Sequence, residues 1–147
     1  MLANLFVGAG LDADGIVSPD EYRRVVTGDR ANQTANATVF TICNLIADAR
    51  LNRGLHVFYD ATNLSTLEVH RERADRLGAD IIYVKFPVDV AELLRRNCVR
   101  ANPVPLDILQ EMIENANGLR SGQMPGSILS PGQAIDWAEE VKLGAAA

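Results

Sequence analysis

The sequence predicts an α/β domain built on a parallel sheet, and three observations carry that expectation. Leu55–Asp60 (LHVFYD) and Ile81–Phe86 (IIYVKF) are short runs of β-formers. The first is apolar on both faces, the pattern of a strand covered from either side. Amphipathic stretches of helical period alternate with these runs, as in chains of β-α-β units. Asp60 then stands where the first run ends, and open α/β sheets bind ligands just outside the carboxyl ends of their strands.

Each element has a local reason. Leu2, Leu5 and Phe6 have helix-compatible spacing, broken by Gly8 and Gly10; Asn4–Gly10 (NLFVGAG) also reads as a segment that can be recruited as a strand. Ile16–Val17 is a short strand. Pro19 after it opens a short helix, DEYRRVV. Gly28, Asp29 and Asn32 form a polar loop. Thr34–Arg53 reads as a long helix with Val39, Ile42, Cys43 and Ile46 as its apolar stripe, and Gly54 just past its end. Ser65 and Glu68 make a capping box flanked by Leu64 and Val69, so a helix starts at 66 and stops near Gly78. Asp89 and Glu92 repeat the pattern for a helix running to about Arg100, closed off by Pro103 and Pro105. Leu106–Asn117 is a further helix with Leu109, Met112 and Ile113 inward. Gly118–Ser130 is a Gly/Pro-rich connection in which Ser127–Leu129 is a small edge strand. Ser130–Pro131 opens a last helix to about Leu143, with Trp137 and Val141 packed and a frayed alanine end.

Composition narrows the function classes. At 147 residues, with 48% hydrophobic and 22% charged residues, the chain is an ordinary single-domain globular protein. No apolar run approaches the roughly 18 residues that span a bilayer, and there is no basic leader, so a cytoplasmic protein without membrane partners is expected. Cys43 and Cys98 sit in predicted helices without metal-ligand spacing and read as buried small hydrophobes. The net charge of -5 provides no global attraction to nucleic acid. Only Lys85 and Lys142 are lysines, however; the remaining cations are arginines, whose forked guanidinium binds phosphate in a way lysine cannot. An anion site is therefore expected to be local.

Three segments supply phosphate-compatible groups near strand ends. SPDEYRR places Asp20 and Arg23 three residues apart on one helical face. DATN carries Asp60 and Asn63; a carboxylate there can hold Mg²⁺ or its water next to a phosphate. LLRRNCVRANPVP places Arg96 and Arg100 four residues apart, the spacing of one helix face.

Taken as a set, D-x-Y-R, then apolar-D-x-T-N, then R-N-x-x-R followed by P-V-P resembles the 5′-kinase domain of phage and bacterial polynucleotide kinases, a branch of the P-loop kinases. The similar region runs from about Ile16 to Asn117. The resemblance implies a three-layer fold, a parallel sheet with flanking helices, and one P-loop-kinase-like domain over 1–147 with its first strand missing or replaced. It implies transfer of a phosphoryl group from ATP, with Mg²⁺, to the 5′-hydroxyl of a nucleic acid end or a nucleoside. By the same resemblance Asp20 is the general base, Arg23 contacts an acceptor phosphate, Arg96 and Arg100 grip the donor phosphates, Asp60 orders the metal, and Asn63 lies close to the substrate. Such chemistry needs alignment and positive charge more than covalent steps.

Plainer readings stand beside these. Asp20 can be a carboxylate favoured by a helix N-terminus, Tyr22 packing, and Arg23 and Arg24 a solvated face. Arg96 and Arg100 can pair with Glu92 and Asp107. Arg71, Arg73 and Arg76 read as surface, and His56 and His70 as structural. The sequence also contains no G-x-x-x-x-G-K-[ST], the loop that cradles nucleotide phosphates in that family; counted back from D-x-Y-R, its lysine would fall just before Met1. Two expectations follow: a truncated form of a kinase, or a non-catalytic binding module on the same fold. The family's first strand lies between those matching 55–60 and 81–86. Those two either pair directly or leave a gap for another segment or a second copy, a homodimer completing the sheet.

Overall fold

The computed structural model describes residues 7, 12–62, 66–87, 89–101, 103–118 and 127–145. Within them four short strands alternate with six helices: β1 (Ile16–Val17), α1 (Pro19–Thr27), α2 (Asn36–Leu51), β2 (Phe58–Tyr59), α3 (Leu67–Leu77), β3 (Ile82–Val84), α4 (Val90–Cys98), α5 (Leu106–Gly118), β4 (Ser127–Leu129) and α6 (Pro131–Ala145). The mixed α/β class and the order of elements agree with the sequence reading, including the small strand at Ser127–Leu129. The strands at 55–60 and 81–86 are shorter than expected.

Among the described residues all strand pairing is parallel. Ile16 and Val17 lie opposite Phe58 and Tyr59, and Ile82, Tyr83 and Val84 lie opposite Ser127, Ile128 and Leu129. The result is two two-stranded sheets, β1–β2 and β3–β4. Among the described residues no β2–β3 ladder joins them, so the strands that the sequence left unjoined do not pair directly. Ala134 of α6 bridges the halves: it is fully buried, with Phe58 of β2 and Val84 of β3 both packed against it beside Leu129 and Trp137. Residues 4–6 and 8–10 of the NLFVGAG stretch lie outside the described residues; Val7 is helical.

The principal core lies beneath β1–β2. Val17, Val39 and Cys43 are fully buried, with Tyr22, Ile46, Val57 and Tyr59 around them. Their helical spacing on α2 puts Val39 and Cys43 on one stripe, and the alternation of β1 sends Val17 toward it. Arg50, near the end of α2, fastens the entry to β1. It donates through Nη2 to Asp12 (2.6 Å) and through Nε to the carbonyl of His56 (3.2 Å). Gly15, just before β1, lies so close to the segment leading into β2 that a Cβ there would meet the His56 carbonyl at 3.1 Å.

Three sequence expectations change here. Cys98 is exposed rather than buried. The helix after β2 begins at Leu67 rather than 66, and Thr66 before it makes no side-chain cap bond; Glu68 pairs with Arg71, while Leu64 and Ser65 of the expected staple and capping box lie outside the described residues. Arg73 is not a surface residue: it is 7% exposed, with two partners on α2 and one on its own helix. Its Nε donates to Asp48 (2.5 Å), its Nη2 to Asn44 (2.7 Å), and its Nη1 to Nδ1 of His70 (2.9 Å), while Arg76 also reaches Asp48 (2.8 Å). Burial works to raise the Asp48 carboxyl, but the hydrogen bonds from Arg76 and Arg73 outweigh it and hold it below its usual value.

This network makes the fold sensitive to acid. His70 packs against the Tyr59 ring, tilted 60° to it at 4.5 Å, and accepts from Arg73, which requires Nδ1 to be unprotonated. Burial first, and the Arg73 cation second, push its pKa down to about 4 from 6.5. The unfolded chain therefore binds more protons than the folded one between about pH 6.5 and 4. The stability that the neutral ring contributes is present above that window and lost as pH falls through it. Allowing for solvent at this partly exposed ring, the loss is about 1 kcal/mol. Urea unfolding at a series of pH values from 7 to 4 measures it; His70→Gln flattens the dependence in that window.

Candidate functional site

The carboxyl ends of β1 and β2 form one rim. The Asp60 N–H donates to the Val17 carbonyl (2.9 Å), so Asp60 continues the ladder one step past Tyr59 and projects from the end of β2. On the other strand the chain turns at Ser18 into α1. Pro19 at the first helical position is pre-set for the turn, Asp20 and Glu21 follow in the first turn where the helix dipole favours carboxylates, and Gly28 closes the helix in the left-handed region at φ 81°. Asp20 and Asp60 thus stand at the same end of one parallel strand pair, and both are exposed.

Arg23 orients Asp20. One turn further along α1, it donates to Oδ1 of Asp20 through Nη1 and to Oδ1 of Asn36 through Nε (2.8 Å), and its guanidinium sits over the Phe40 ring at 5.9 Å. Its side chain is only 12% exposed, against 70% for Asp20. A held cation therefore presents a solvent-facing carboxylate. Nη2 of Arg23 has no partner among the described residues. Asn36 is a contributor that sequence reasoning missed: it comes 13 positions after Arg23, on another helix, with no periodic signal linking the two.

The arginines after β3 are arranged differently from expectation. Asp89 caps α4 as the sequence implied, accepting from the N–H groups of Ala91 and Glu92. The helix ends at Cys98, however, so Arg96 lies on it and Arg100 lies beyond it. The two do not share a helix face. The cause is Asn97, which is 4% exposed and bonds Val104 on both sides, donating to its carbonyl and accepting from its N–H, each at 2.8 Å. Pro103 and Pro105 have no N–H, so Val104 holds the only backbone donor of that triplet, and Asn97 meets it. Replacing Asn97 with alanine leaves both Val104 groups unpaired, an expected cost of about 2 kcal/mol. Faster hydrogen exchange at the Val104 amide and a lower melting temperature measure it.

Glu92 meets the two arginines on its own helix. Arg95 and Arg96 both pair with it, at 2.6 and 2.7 Å. Arg95 foremost, then Arg96, holds the Glu92 carboxyl down to about 2. Among the described residues no hydrogen bond or ion pair joins Arg96 or Arg100 to Asp20, Arg23 or Asp60. Asn63 lies outside the described residues.

Mg²⁺ takes one or two protein carboxylates and completes its shell with water and phosphate oxygens. Asp60, with Asp20 at the same rim, suits that requirement. Among the described residues no group of three or more His, Cys, Asp or Glu could hold a metal by itself. The donor set therefore fits Mg²⁺ arriving with a phosphate. For the nucleotide itself the chain supplies guanidinium groups but, in its sequence, no G-x-x-x-x-G-K-[ST] loop. Among the described residues no helix is long and apolar enough to cross a membrane.

A family model described as "AAA domain" matches residues 9–119, a stretch that contains Asp20, Arg23, Asp60, Asn63, Arg96 and Arg100. No curated protein matches the chain.

Proposed function

This chain belongs to the AAA domain family, a P-loop NTPase and kinase-like class that binds nucleotide and Mg²⁺, and on that premise we propose that it transfers a phosphoryl group from ATP to the 5′-hydroxyl of a nucleic acid end or nucleoside. The observation that carries the finer reading is the Asp20–Arg23 pair: an exposed carboxylate at a strand end, aimed by a cation that is itself held by Asn36.

In this reading Asp20 accepts the proton of the acceptor hydroxyl on a side-chain oxygen, which a short, rigid strand-to-helix turn brings within reach. Arg23 keeps that oxygen in place and offers Nη2 to an acceptor phosphate. Asn63 adds a hydrogen-bonding group near the substrate, and Asp60 holds a water or oxygen of the Mg²⁺ shell. Arg96 and Arg100 close on the donor side and stabilise charge on the phosphoryl oxygens. Bound Mg·ATP supplies the transferable group.

A second reading has its own observation. Without a G-x-x-x-x-G-K-[ST] loop in the sequence, the same fold serves as a binding module for nucleic-acid ends or a protein partner, with no turnover. Labelled ATP with a 5′-hydroxyl oligonucleotide separates the two. Label appearing on the 5′ end supports the enzyme. A chain that binds the oligonucleotide yet neither binds Mg·ATP nor transfers label supports the module.

A further inference from the structure

Three N–H groups from two neighbouring guanidiniums converge on one carboxylate at α4. Arg95 donates through Nε to Oε2 of Glu92 (2.6 Å) and through Nη2 to Oε1 (2.8 Å), a two-pronged fork. Arg96 donates through Nε to Oε1 (2.7 Å). The spacings of three and four residues bring Arg95 and Arg96 to the same side as Glu92, so its two oxygens are gripped together. A phosphate presents a pair of oxygens to a guanidinium fork in the same manner and with more charge. Arg100 takes no part: it lies beyond the helix, and its side chain has no partner among the described residues.

Resting on the reading of the chain as a phosphoryl-transfer protein, we infer that the Glu92 carboxylate is a built-in stand-in for the donor phosphate, and that Arg95 joins Arg96 as a ligand of that phosphate once the anion displaces Glu92. The displacing anion is an inorganic or nucleoside polyphosphate by class, because only a multiply charged anion outcompetes a carboxylate tethered one helical turn away.

The balance allows the exchange. Both arginine side chains are about two-thirds exposed, at 66% and 71%, and ion pairs of such exposure are weak. Glu92 also stands in the first turn of α4, where the helix dipole favours a carboxylate whether or not it is paired. Displacing it therefore leaves the helix intact. The grip itself does not wander, because the next residue, Asn97, is buried and anchored to Val104. With Glu92 in place the three side chains sum to one positive charge; without its charge they sum to two. The carboxylate thus sets a threshold that weak monoanions do not cross.

Calorimetry with inorganic triphosphate tests this on the full chain and its variants. Glu92→Gln keeps the side-chain size and removes the competing charge, and it is expected to bind triphosphate about tenfold tighter at low ionic strength, the gain shrinking as salt is added. Adding Arg95→Gln to Glu92→Gln is expected to remove most of that gain. Glu111→Gln, which changes the net charge equally at an exposed position of α5, is expected to leave affinity unchanged. If the wild type binds and Glu92→Gln binds no tighter, or Glu111→Gln gains as much, Glu92 is no stand-in, while the donor-side reading of Arg96 stands. If Arg95→Gln costs nothing, the assignment of Arg95 falls. If neither the wild type nor Glu92→Gln binds, with native circular dichroism, both the stand-in and the proposed donor grip are overturned.

Discussion

Replacing Asp20 with asparagine is expected to lower phosphoryl transfer to a 5′-hydroxyl acceptor by about 10²–10⁴-fold, the usual contribution of a positioned base, while leaving the fold intact. The side chain is 70% exposed and its partner among the described residues is Arg23. Asparagine keeps the shape and an oxygen that can accept from Arg23, so what disappears is the capacity to take a proton. The structural cost is the lost attraction to the α1 N-terminus, about 0.3–1 kcal/mol. Glu21→Gln is the matched control: it loses a carboxylate from the same helical turn, where Glu21 pairs with Arg24 and Arg30, and it should melt like the Asp20 variant yet retain transfer. Full activity in Asp20→Asn would remove the base from this position. A fall shared equally by Glu21→Gln would show that the turn, rather than the carboxylate, is what matters.

The largest stability effect is expected at Arg73. Its substitution by alanine should cost about 3 kcal/mol, toward the lower end of the range for breaking a buried ion pair. All three guanidinium nitrogens are in use, on Asp48, Asn44 and His70, so one truncation strips partners from three groups on two helices. The lower end applies because Asp48 keeps Arg76 and is itself partly exposed. Arg76→Ala, at a side chain 56% exposed, should cost no more than about 1 kcal/mol despite reaching the same carboxylate. Urea unfolding of both variants makes the comparison, and a double-mutant cycle with Asp48→Asn isolates the coupling. A cost for Arg73→Ala equal to that of Arg76→Ala would mean that burial confers nothing on this pair. Removing Arg73 also removes one of the two causes that depress His70, so the acid sensitivity between pH 6.5 and 4 should shrink in the same variant.

The order of strands and helices was legible in the sequence because its causes are local. Proline at the start of α1, the Asp89 cap of α4, the apolar stripe through Val39 and Cys43, and the β-formers before Asp60 act within a few residues of themselves. For the same reason the rim carboxylates are legible in the sequence: Asp60 directly follows a strand, and Asp20 stands in the first turn of the helix that a strand and a proline introduce.

What the arginines do could not be read that way. Arg73 meets Asp48 across 25 positions and Asn44 across 29, Arg50 meets Asp12 across 38, and Arg23 meets Asn36 across 13. A guanidinium on a long flexible stem suits water, a phosphate or a buried carboxylate equally, and only the packing of one helix on another decides which it finds. The separation of Arg96 from Arg100 has the same origin. Four-residue spacing promises one face only while the helix continues, and α4 stops because Asn97 turns inward to serve a backbone that two prolines leave poor in donors. Local chemistry set the elements and the acids at their ends; the cations took their places only when distant segments came together, since a charge leaving water must find a partner wherever the fold supplies one.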